Sequence, residues 1–84
     1  MRIAFRKEAA ADLESIIQWY GEVAPASVGK VLADIYRSID QLSRYPRSGV
    51  QVSSRSFRRI VTLKYHFKIA YEIDKDWIVV LGIF

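Results

Sequence analysis

The chain has 84 residues, 51% of them hydrophobic and 26% charged, with a formal net charge of +4 and no cysteine. That length holds one small domain, residues 1–84, of a size that buries only about 60% of the surface its unfolded chain exposes. Disulfides and cysteine-bearing zinc sites are excluded, and the single histidine, His66, makes no metal cluster.

Arg2–Ile3–Ala4–Phe5–Arg6 alternates polar and apolar, which predicts a short half-buried strand. The period then changes. Ala9, Leu13, Ile16, Ile17 and Tyr20 recur at spacings of three and four, the face of a helix whose start carries Glu8, Asp12 and Glu14. Gly21 and Pro25 are expected to bound its far end. Val28, Val31, Leu32, Ile35, Ile39 and Leu42 predict a second helix, which stops before the turn segment Tyr45–Pro46–Arg47–Ser48–Gly49. The short link makes the two helices an antiparallel hairpin.

After that turn the period becomes two. Phe57, Arg59, Val61, Leu63 and Tyr65 are expected on one face of a strand, with Arg58, Ile60, Thr62 and Lys64 on the other. Phe67, Ile69, Tyr71 and Ile73 alternate with Lys68, Ala70 and Glu72 in the next, and Asp74–Lys75–Asp76 forms a turn. Trp77–Ile78–Val79–Val80–Leu81 is nearly continuous apolar sequence, as for a strand covered on both faces or flanked on both edges. The fold class is therefore α+β in the order β-α-α-β-β-β, a helical hairpin packed on a small, mostly antiparallel sheet. The apolar run from Trp77 to Phe84 is eight residues, whereas a helix needs about twenty to span a bilayer. The expectation is a soluble, cytoplasmic protein with no membrane partner.

Charge is unevenly placed. Residues 1–43 are net −1 and residues 44–84 net +5. Between Arg44 and Lys68 stand seven bases (Arg44, Arg47, Arg55, Arg58, Arg59, Lys64, Lys68) and no acid. Such a window suits phosphates or an acidic protein surface better than it suits solubility alone.

Other chemistry is sparse. No phosphate-binding loop motif, dinucleotide fingerprint, metal motif or nucleophile elbow is present, and no cofactor is implied. His66 reads as a strand residue, Ser53–Ser54–Arg55–Ser56 as a linker, and Tyr65 and Tyr71 as core rather than base-stacking groups. The carboxylates do not pair: Asp12, Glu14 and Glu22 belong to a helix face, Asp74 and Asp76 to a turn. Arg58, Lys64 and Lys68 are expected at outward positions on adjacent strands, with Lys64 and Lys68 close together across a hairpin.

Taken in order, the motifs resemble a family. The opening strand, Ala9…Asp12–Leu13…Ile16…Tyr20, Leu32…Ile35…Ile39…Leu42…Pro46…Gly49, Phe57–Arg58–Arg59, Tyr65 to Ile73 and Ile78 to Phe84 together resemble the ParE/RelE superfamily of toxins from bacterial type II toxin–antitoxin systems. The resemblance implies a cognate antitoxin, ParD-like, whose extended acidic segment folds onto the toxin. In the ParE-like branch it implies inhibition of DNA gyrase with no catalytic residues, and Arg55, Arg58, Arg59, Lys64 and Lys68 as the surface for target or antitoxin, with direct nucleic-acid binding secondary. In the RelE-like branch it implies ribosome-dependent mRNA cleavage, with Arg59 and Lys68 as catalytic groups. A third alternative is a degenerate toxin that only binds antitoxin. RelE-like members add basic and aromatic residues after the last strand, whereas here the chain stops at Phe84. With the Arg58–Arg59 pair, this favours the ParE-like branch.

Overall fold

Two helices pack on one face of a five-stranded sheet in the computed structural model, which describes residues 1–84. Strand β1 (Arg2–Phe5) leads into α1 (Lys7–Val23), a single 3-10 turn at Pro25–Ser27, and α2 (Val28–Arg44). Strands β2 (Val50–Gln51), β3 (Arg58–Val61), β4 (Lys68–Asp74) and β5 (Trp77–Ile83) follow. The sheet order is β1-β5-β4-β3-β2, parallel between β1 and β5 and antiparallel elsewhere. The expected α+β class holds, with one strand more than expected.

Helix α1 runs through Gly21 and stops because of Pro25. Proline disfavours helical geometry in the residue before it, and Ala24 accordingly leaves the helix (φ −148°, ψ 67°) while its N–H donates to the Tyr20 carbonyl. Gly21 therefore sits inside a helix, with nothing within 4 Å of where a Cβ would stand. Gly21→Ala should raise stability by about 0.5–1 kcal/mol in urea unfolding, because alanine loses less backbone entropy than glycine on entering a helix. An unchanged or lower midpoint would contradict this.

The buried face of α2 is Val31, Asp34, Ile35, Ile39 and Leu42. These residues join Ala9 of α1 and Ile69, Tyr71, Ile78, Val80 and Ile83 of the sheet in the core, with Ile3 and Ile60 packed against both of its parts. Strand β5 is apolar throughout because it lies between β1 and β4 and has no free edge. Its register against β4 shifts at Ala70/Tyr71, where Ala70 pairs with Gly82 but Tyr71 with Val80, leaving Leu81 as an extra residue. That bulge reverses the alternation, so that both Val80 and Ile83 reach the core. Beyond the end of β1, the Ile83 N–H is met by Asp12 Oδ2 at 3.0 Å.

The third expected element is shorter than its pattern. Strand β3 ends at Val61, and Thr62–Phe67 form a turn rather than carrying Leu63, Lys64 and Tyr65 as strand. The cause lies on α2. Buried Asp34 accepts the backbone N–H of Lys64 at 3.1 Å and of Tyr65 at 2.8 Å, bonds that bend the chain away from the sheet. Within the turn, Thr62 Oγ1 accepts the Phe67 N–H at 2.9 Å, and His66 takes a positive φ of 57°. His66 is thus an exposed turn residue and not the start of a strand. Strand β2 escaped the sequence reading because two residues carry no period; it exists through its pairing of Val50 with Arg59 and Gln51 with Arg58.

Candidate functional site

The acid-free window folds onto β2, β3, the start of β4 and the turns between them. Only two ion pairs form in the chain, Arg44 with Asp40 and Arg6 with Glu72. Arg47, Arg55, Arg58, Arg59, Lys64 and Lys68 therefore carry charge that no carboxylate of this chain neutralises. The structure divides these six into separate groups.

At one end of β3, Arg47 and Arg58 line an open polar groove of about 210 Å³ together with Gln51, Ser56, Glu72 and Ile73. Arg58 does not point outward as expected. It shares the helix-facing side of the sheet with its cross-strand partner Tyr71, half-buried, and Nη1 donates to the carbonyls of Gly49 (2.9 Å) and Arg47 (3.4 Å). Unpaired carbonyls of a tight turn can satisfy a guanidinium as well as water does. Arg55 lies in the adjoining loop, where its carbonyl accepts from Gln51 Nε2 at 2.9 Å.

The groove is held by a buried hydroxyl. Tyr71 is fully buried, and its Oη donates to the Pro46 carbonyl (2.7 Å) and accepts from the Gly49 N–H (2.9 Å). Burial pushes the phenol above its ordinary pKa, partly offset by the Gly49 N–H and the charge of Arg58. Tyr71 thereby fixes the Pro46–Gly49 turn on which Arg58 is fastened. Its reading as a core group is correct, and its polar end organises the groove as well.

On the opposite face of the sheet, Arg59 and Lys68 are both exposed. Arg59 pairs with Ala70 and Val61 with Lys68, so the two bases are diagonal neighbours, about 7–8 Å apart at their backbones. Lys64 lies in the Thr62–Phe67 turn and not on a strand, which corrects the expected outward row of Arg58, Lys64 and Lys68. The five expected residues thus split among the groove end, the outer face and a turn.

A second surface lies on the helices. Phe5, Ala10, Leu13, Glu14, Ile17 and Tyr36 line an apolar groove of about 290 Å³. Trp19 and Val23 of the same helix α1 are 55% and 60% exposed. Ile17 belongs to the periodic face expected to be buried, but it is left exposed and lines this groove, which periodicity alone does not signal.

Two carboxylates with structural roles were also missed. Asp34 and Asp12 each fall three residues after a stripe position, Val31 and Ala9, and so point inward with the apolar residues. Burial raises the Asp34 pKa, but the N–H groups of Tyr65 and Lys64, the Thr62 hydroxyl and the charge of Arg37 together hold it below its ordinary value.

Comparison with known proteins is consistent with this architecture. The structure superposes on a toxin–antitoxin protein of the chromosomal ParDE system from P. aeruginosa with a TM-score of 0.84, at 22% identity, covering 99% of this chain and 92% of that one. A chain of the intact E. coli RelBE toxin–antitoxin complex matches with a TM-score of 0.67 at 8% identity, covering 98% of this chain and 92% of that one. No curated protein matches in sequence. A family model does, over residues 3–84, and its description is the ParE toxin of the type II toxin–antitoxin system parDE. With the helical hairpin, the sheet order and this match over nearly its whole length in agreement, the chain belongs to the ParE toxin family.

Proposed function

We propose that this ParE-family toxin inhibits DNA gyrase and is neutralised by a cognate, ParD-like antitoxin. The observation that carries the reading is the family match over residues 3–84. Two surface features support it. The apolar groove beside Ile17 and Tyr36 suits the apolar stripe of a partner segment, and the six unneutralised bases suit its acidic residues. A free toxin of this kind keeps both surfaces uncovered for its target, and an antitoxin that spans them removes both at once.

The folded protein in stoichiometric excess should stop supercoiling of a relaxed plasmid by purified gyrase, and prior addition of the antitoxin should restore it. Undiminished supercoiling by protein with native circular dichroism would overturn the gyrase assignment.

Ribosome-dependent mRNA cleavage is the second reading, favoured by one observation: Arg59 and Lys68 share the outer face as diagonal neighbours. Two bases so placed can bind a scissile phosphate and stabilise the developing charge. In that case primer extension on translated message reveals new ends that disappear with Lys68→Ala, while gyrase remains active. A toxin that only binds antitoxin would do neither and would leave growth unchanged on expression.

A further inference from the structure

We infer that the groove at the Arg58 end of the sheet takes one carboxylate side chain from an extended protein segment, and that this segment pairs with the open backbone of Ile73. The partner class rests on the antitoxin reading above; the site itself rests on three features of the groove.

The first is the state of Arg58. A guanidinium has five N–H donors in a planar fork. Only Nη1 is used, on the Gly49 and Arg47 carbonyls, so Nε and Nη2 have no acceptor in the chain. Nε and Nη2 form the side of the fork that a carboxylate bridges with two parallel bonds. The bonds to the turn already hold the side chain in place, so little rotamer entropy remains to be lost when a ligand arrives.

The second is the sheet edge. The β3–β4 ladder ends at Arg58–Tyr71, while β4 continues to Asp74. No backbone bond joins Ile73 to the Val52–Phe57 loop, although continued register would place Ser56 opposite it. The edge at Ile73 thus lies open in the groove. An extended chain adds to such an edge by main-chain bonds and is selected by its side chains.

The third is the charge count. The groove holds two arginines and one carboxylate, Glu72, which pairs with Arg6 at 3.5 Å. With Glu72 already offset by Arg6, Arg47 and Arg58 leave the groove positive, which suits an incoming carboxylate. The successive phosphates of a nucleic acid would bring a second anion against Glu72.

The test is an NMR titration of the ¹⁵N-labelled protein with N-acetyl-Val-Glu-Val-Thr-amide, with its Gln counterpart, and with a single-stranded oligonucleotide. The Glu peptide should shift the Ile73 amide and the Arg58 Nε–H and bind about tenfold more tightly than the Gln peptide. Arg58→Lys keeps the charge but removes the fork, and should reduce that preference severalfold, whereas Arg58→Gln should abolish most of it. Arg47→Gln, which leaves the Arg58 bonds intact, should weaken the Glu peptide severalfold. Equal affinity of the two peptides, shifts confined to other surfaces, or an oligonucleotide that displaces the peptide from Ile73 would each overturn the assignment. Antitoxin that binds Arg47→Gln and the parent equally would overturn the groove alone, whereas antitoxin that binds neither would overturn the reading beneath it.

Discussion

Asp34→Ala should cost about 3 kcal/mol and lower the melting temperature by roughly 12–24 °C for a domain of this length. Asp34 is 2% exposed and ties α2 to the turn after β3 through the N–H groups of Lys64 and Tyr65. Alanine leaves both donors without their acceptor in a site water cannot easily enter. Asparagine keeps one oxygen but turns an NH₂ toward a donor, so Asp34→Asn should lose somewhat less. The pH dependence separates the charge from the shape. Because the folded pKa of Asp34 is depressed, its contribution is fully present above the unfolded value, near 4, and is lost as pH falls through the folded value. The stability gap between parent and Asp34→Asn should therefore be constant at neutral pH and narrow below about pH 4. A gap that persists unchanged into acid would show that the carboxylate's charge has no part in the anchor.

The second large effect belongs to Gly49. A Cβ at this position would stand 2.7 Å from Tyr71 Cε1 and 2.9 Å from Cζ, inside a buried ring. Real side chains do not approach that closely, so Gly49→Ala must displace either the turn or Tyr71, at roughly 2–3 kcal/mol. Tyr71→Phe removes the bonds to Pro46 and Gly49 and should cost about 1–3 kcal/mol. The two positions are in contact, so the double variant should be more stable than the sum of the singles by about 1 kcal/mol. Both substitutions loosen the turn that fastens Arg58, and both should raise hydrogen exchange at Gly49. Strict additivity in urea unfolding would mean that Gly49 and Tyr71 do not share one latch.

These two sites mark where the sequence stops being legible. The helices were readable because Val31, Ile35, Ile39 and Leu42 repeat at a spacing only a helix turns into a face. The central position of β5 was foreshadowed by its lack of polar residues. The parity of β3 was correct as well: Arg58, Ile60 and Thr62 do share a side. What periodicity cannot say is which side is covered when a charged residue stands on each. Alternation places Arg58 at an outward position, whereas its acceptors are carbonyls nine and eleven residues away on the covered side. The same limit hid the end of β3. Leu63 and Tyr65 continue the alternation, and only a carboxylate thirty residues earlier in the chain decides that they turn. Of the candidate site, composition revealed the concentration of charge, and tertiary pairing decided its division into a groove end, an outer face and a turn.

The parallel pairing of β1 with β5 has a consequence for how this toxin comes into being. Strand β5 is the last strand of the fold and the only one that touches both β1 and β4. Until it is in place, β1 has no neighbour in the sheet, and Ala9, Val31 and Ile35 lack Val80 and Ile83 to pack against. A nascent chain can wind its helices early, since those contacts are local, but it cannot close the sheet until β5 has been synthesised and released. Sheet closure thus waits until β5 has emerged, and before that the groove at the Arg58 end has no completed sheet beneath it.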